Sequence, residues 1–137
     1  MENKSNNSKF HIDHKYFFSP LELNGLKLLQ IGERLCTPET GFPEHDQLCF
    51  EITYVYSGIA INSINGEKYA MRPNTINFTF VGQKHSIYAD DVNLRYYYLG
   101  FDLSEKHPLF GYFQNMVKEG KAVYVYDPFN TNLTFLN

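Results

Sequence analysis

The chain has 137 residues, 12 of them Lys or Arg and 15 Asp or Glu, for a net charge of -3. This length suits about one domain with a sizeable core, and the mixed charge, without a basic run, argues against direct nucleic-acid binding by this segment. The chain carries two cysteines, no Trp, 11 Tyr and 12 Phe, which excludes a disulfide framework and favours an aromatic, β-rich core.

Residues 1–9, Asn-, Ser- and Lys-rich, read as a disordered lead with little to bury. They contain no apolar signal-peptide stretch, and no run in the chain is long enough to span a bilayer. The expectation is therefore a cytoplasmic protein without a membrane partner, with residues 10–137 forming one domain. Phe10, Ile12, His14, Tyr16 and Phe18 alternate on one strand face, and the "LKLLQIGERL" segment predicts a second strand. Residues 37–44, with two prolines and Gly41, read as a loop.

"FEITYVYS" is the strongest strand signal, being β-branched or aromatic except at Glu51 and Ser57, and Gly58 ends it. "IAINSI" and "EKYAM" flank Asn65-Gly66, which predicts a tight hairpin. "INFTFV", "HSIYA" and "NLRYYYLGFDL" complete a run of short strands spaced as in a sandwich or barrel. One helix is expected with Pro108 in its first turn, Leu109, Phe110, Phe113, Met116 and Val117 on its apolar face, and Gly120 at its stop. "AVYVY" reads as a last strand or extended arm. Cys49 is expected to be a small buried apolar residue, and Asp90-Asp91 a solvated turn.

The polar residues of residues 41–58 raise the functional question. His45 and Gln47 share a face if both lie on a strand, whereas Glu51 on the same unbroken strand would lie about 20 Å from His45. A shared site therefore requires the chain to turn between Gln47 and Phe50. Glu51 sits in an otherwise apolar strand, where a buried carboxylate needs a partner. On "LRYYYLGF" the alternation places Tyr96 and Tyr98 on one face and Arg95, Tyr97 and Leu99 on the other.

His45-x-Gln47-x3-Glu51-x6-Gly58 resembles the first cupin motif, and "FVGQKHSIY", with Gly82 and His85, resembles the second. Residues 43–103 as a run are similar to the N-terminal regulatory domain of AraC-type transcriptional regulators. The resemblance implies a mainly β, cupin-like double-stranded β-helix, a jelly-roll barrel with one or more short C-terminal helices. It also implies a small-molecule effector, a sugar or similar polar metabolite, held by His45, Gln47, Glu51, Thr53, His85, Tyr96 and Tyr98. DNA would be contacted only through a C-terminal helix-turn-helix domain that this chain lacks, and a homodimer would form through the helix or the barrel edges.

Several positions depart from the cupin pattern. Gln47 stands where a second metal-binding histidine belongs, and Asn74, Phe80 and Ala89 replace the second motif's glycine, proline and asparagine. An amide is a poor ligand for the transition metals that imidazole holds, so no metal, cofactor or catalytic residue is assigned. The alternative is a metal-dependent small cupin enzyme, a dioxygenase or isomerase, using His45, Glu51 and His85.

Overall fold

A computed structural model describes residues 19–89, 92–120 and 123–126. The strand proposed for residues 10–18, the disordered lead and Asp90-Asp91 lie outside them. The chain order is β1 (Leu21–Leu23), β2 (Leu26–Cys36), β3 (Phe42–Asp46), β4 (Phe50–Ser57), β5 (Ala60–Ile64), β6 (Glu67–Met71), β7 (Thr75–Thr79), β8 (Lys84–Ala89), β9 (Leu94–Leu103), α1 (Phe110–Glu119) and β10 (Val123–Tyr126).

These strands form two antiparallel sheets, β1-β2-β9-β4-β7-β10 and β3-β8-β5-β6. Inward residues from both meet in one core: Cys36, Val55, Leu94, Tyr96 and Tyr98 from the first sheet, and Ala60, Met71, Ile87 and Ala89 from the second. Both cysteines are buried and neither forms a disulfide, Cys49 being a small core residue. Burial pushes the Cys36 thiol pKa up.

A second cluster lies on the outer side of the larger sheet. Phe50, Phe80, Phe101 and Leu103 are buried there, and Phe113, Met116 and Val117 of α1 pack onto them. The Phe113 ring lies 5.1 Å from that of Phe50 and 5.9 Å from that of Phe101. This packing gives α1 its position; its N-cap Leu109 makes no side-chain capping bond. Gly120, left-handed with φ of 65°, caps the other end and donates its N–H to Met116 and Val117 carbonyls.

Three expectations need correction. Residues 42–44 belong to β3 rather than to a loop, because Phe42 and His45 find partners in Ile87 and His85 of β8. Pro108 and Leu109 precede the helix instead of opening its apolar face, and Leu109 is exposed. β1 and its turn were not foreseen, although Asn24-Gly25 is the same dipeptide as Asn65-Gly66 and both pairs take positive φ.

Candidate functional site

β3 and β4 belong to different sheets, so the chain crosses from one layer to the other through Gln47, Leu48 and Cys49. With no Gly or Pro there, the crossing is held by backbone bonds to the β7–β8 turn. The Gln47 N–H donates to the Gln83 carbonyl at 2.8 Å, and the Gly82 N–H donates to the Gln47 carbonyl at 2.9 Å. Gly82 is required by its φ of 84°; an added Cβ would meet nothing within 4 Å. Its role is thus conformational rather than to permit a close approach.

The crossing brings the separated polar residues around one cavity of about 330 Å³. Gln30 and Arg34 come from β2, Phe42, His45 and Asp46 from β3, Gln47 and Leu48 from the crossing, Glu51 from β4, His85 from β8, and Tyr96 and Tyr98 from β9. Six of the seven residues expected at the ligand thus line one space. Thr53 does not: it is buried beyond the lining, where its hydroxyl accepts a bond from Asn77 Nδ2 at 3.4 Å.

His45 and His85 face each other across the β3–β8 ladder, with ring centroids 4.2 Å apart. Phe42 closes the group edge-on to His45 at 4.4 Å. The His45 Nδ1–H donates to the Pro43 carbonyl at 3.1 Å, which turns Nε2 away from that carbonyl. His85 is buried, and neither of its ring nitrogens bonds to a described residue. Burial, then the neighbouring His45 charge, pulls its pKa down to about 3, so the ring is neutral at physiological pH.

Glu51 accepts a bond from Gln30 Nε2 at 3.3 Å. It keeps some surface toward the cavity, but protein surrounds it closely enough to push its pKa up to about 7. Desolvation outweighs the lowering effects of the Gln47 amide and the Arg34 charge. The partners of this carboxylate are therefore two glutamines, not His85. Burial likewise raises the Tyr98 hydroxyl to about 12 and the Tyr96 hydroxyl well above its ordinary value, so both phenols remain protonated donors.

Arg34 was missed by motif reasoning. Its guanidinium lies 4.2 Å from the Phe42 ring centroid, a contact worth on the order of 1 kcal/mol. Its place was legible in the strand period, since Arg34 pairs with the inward-facing Tyr96. Gln30, two strand repeats away on the same face, carried the same signal. Glu33, one residue from Arg34, points to the opposite side of the sheet. There it accepts a bond from the Tyr56 hydroxyl and pairs with Arg95 Nη1 at 3.6 Å, outside the cavity.

The cupin arrangement of metal ligands fits this site poorly. Among the described residues no group of three or more His, Cys, Asp or Glu side chains is placed to hold one ion. The histidines converge on each other, while Glu51 is engaged by amides.

The sequence profile of the AraC-like ligand binding domain matches residues 28–110, more than half of the chain and every strand that lines the cavity. The chain belongs to this family. Among solved structures, an RmlC-like cupin with a double-stranded β-helix fold from Methanocaldococcus jannaschii is similar at 11% identity and TM-score 0.52, over 70% of this chain and 89% of that one. A cupin protein from Bacteroides fragilis matches at 20% identity and TM-score 0.50, over 61% and 70% of the two chains. A predicted oxalate decarboxylase from Thermotoga maritima matches at 15% identity and TM-score 0.50, over 69% and 98%. At these identities the likeness establishes the fold, a cupin-type double-stranded β-helix. No curated protein matches the chain significantly. Among the described residues of this AraC-like domain, no helix is long and apolar enough to cross a membrane.

Proposed function

We propose that this AraC-like domain senses a small, neutral, hydroxyl-rich metabolite, a monosaccharide or close chemical relative, in the cavity between β2, β4 and β9 on one side and β3 and β8 on the other. The observation that carries the reading is His85. Its two ring nitrogens are buried in the cavity wall without partners among the described residues, and the ring is neutral. A neutral imidazole offers one donor and one acceptor. A hydroxyl answers both roles, whereas a carboxylate can only accept and an ammonium can only donate.

The other lining groups suit the same guest. Tyr96 and Tyr98 supply flat faces with hydroxyls, Gln30 and Gln47 supply amides, and Glu51 supplies a carboxyl that accepts when ionised and donates when protonated. Such mixed, convergent polarity in a small concave site is the pattern of metabolite binding. Thr53 acts behind this wall, through Asn77.

In this reading the domain binds without turnover and belongs to a transcription regulator that acts as a homodimer. A separate helix-turn-helix unit contacts DNA. Occupancy reaches it because ligand favours one arrangement of the domain over another, and that difference in affinity is all that can move the equilibrium.

Thermal denaturation with D-glucose, D-galactose and D-xylose tests the reading. A ligand at 100 times its Kd stabilises the native state by about 2.7 kcal/mol, which raises Tm by roughly 10 °C in a domain of this size. At least one sugar is expected to do so and to be recovered chemically unchanged. A Tm unmoved by all three, or conversion of the sugar, contradicts sensing without turnover.

A further inference from the structure

Two inward positions beside the cavity carry no side chain. Gly32 on β2 and Gly100 on β9 are both buried in strand interiors, where glycine is a poor choice. Neither has the left-handed φ that demands glycine, which occurs instead at Gly25, Gly41, Gly58, Gly66, Gly82 and Gly120. Their reason is space.

Each lies directly opposite a cavity residue on the neighbouring strand: Gly32 pairs with Tyr98 and Gly100 with Gln30. A Cβ on Gly32 would stand 2.6 Å from Tyr98 Oη, 2.8 Å from Cζ and 3.0 Å from Cε1. A Cβ on Gly100 would stand 2.5 Å from Gln30 Cγ and 2.8 Å from its Nε2. The Tyr98 phenol therefore lies across β2 over Gly32, and the Gln30 side chain lies across β9 over Gly100. From there the Gln30 amide reaches Glu51 Oε2 at 3.3 Å.

We propose that Gly32 and Gly100 are size-determining positions of the ligand cavity: they let Tyr98 and Gln30 lie down across the opposite strand, which gives the site its depth and sets those polar groups at its floor. The proposal rests on reading the cavity as the ligand site. A methyl at position 32 meets three atoms of a rigid ring, so the ring must tilt as a unit toward the open cavity. A methyl at position 100 meets a flexible side chain, which can move aside more cheaply. The glycine under Tyr98 is accordingly the stronger determinant.

Gly32→Ala, Tyr98→Leu and the Gly32→Ala/Tyr98→Leu double variant test this in the full chain. The Gly32→Ala crystal structure is expected to show the Tyr98 ring raised and a cavity smaller than 330 Å³. Its Tm falls relative to wild type, but adding Gly32→Ala to Tyr98→Leu costs no further Tm, because the ring it collides with is gone. Titration with D-glucose and D-xylose, which differ by one hydroxymethyl group, should show glucose weakened by about tenfold or more relative to xylose, as for other pockets tightened by one carbon. A cavity of unchanged size, the same Tm loss in both backgrounds, or equal weakening of the two sugars overturns the proposal. If wild type binds none of D-glucose, D-galactose and D-xylose, the ligand reading fails; whether or not it does, the structural and Tm arms decide whether these glycines set the cavity's depth.

Discussion

Glu51 and His85 pull the stability of the domain in opposite directions as pH changes. The Glu51 pKa is raised in the fold from 4.5 to about 7, so its contribution is fully present below pH 4.5 and is lost as pH climbs through 7. The His85 pKa is lowered from 6.5 to about 3, so its contribution is present above pH 6.5 and is lost as pH falls toward 3. Glu51→Gln keeps an acceptor for the neighbouring amides and removes the charge. Thermal melts should therefore find it more stable than wild type at pH 8, with the advantage vanishing near pH 4.5; an advantage independent of pH contradicts the assignment. His85→Phe replaces a ring whose nitrogens bond to no described residue, so little protein hydrogen bonding is lost. Denaturant melts should place it within about 1 kcal/mol of wild type, while sugar binding disappears. A large loss of stability would instead show that His85 is part of the scaffold.

The β3–β4 crossing and helix α1 show what holds elements in place. α1 is fixed by its half-buried Phe113, whose ring touches Phe50, Phe80 and Phe101. Phe113→Ala should cost about 2 kcal/mol in urea unfolding, below the ~3–5 kcal/mol of a fully buried phenylalanine. Turns differ in the same way. A Cβ on Gly58, at φ of 84°, would lie 1.8 Å from the Asn93 carbonyl oxygen, whereas one on Gly82, at the same φ, meets nothing within 4 Å. Gly58→Ala should therefore destabilise by ~3 kcal/mol or more and Gly82→Ala by about 1 kcal/mol; equal costs would contradict this packing. Strands whose period was strong, such as β4 and β9, were legible in the sequence, as was the Asn65-Gly66 hairpin. β3 was not, because its pairing with β8 is a tertiary contact that overrides Pro43 and the loop signal of Pro38 and Gly41 just before it. The start of α1 was misjudged for a related reason: propensity favours Pro108 in a first turn, but the helix begins where Phe110 and Phe113 reach the sheet.

At the scale of the molecule, the polar cavity and the apolar core share one inter-sheet space, and Tyr96 and Tyr98 belong to both. That dual membership explains why the site was partly readable. His45, Gln47, Glu51 and His85 stand in motif positions, and the two tyrosines share one face by alternation, which the family resemblance turns toward the barrel, so six lining residues needed no structure. Arg34 and Gln30 sit on a strand outside both motifs and join the site only through their pairing with β9. Thr53 shares the inward face with Glu51, yet its short side chain is spent on Asn77, a distinction that period alone does not make. The depth granted by Gly32 and Gly100 was invisible for the same reason: it exists only when Tyr98 and Gln30 are laid across the neighbouring strand.

Titration calorimetry of D-glucose, D-galactose and D-xylose against wild-type protein and His85→Phe tests the central claim most directly. The account predicts that at least one sugar binds wild type with one site per chain and that the same sugar gives no binding heat with His85→Phe. Absence of binding by all three, or an unchanged affinity in the variant, would contradict it.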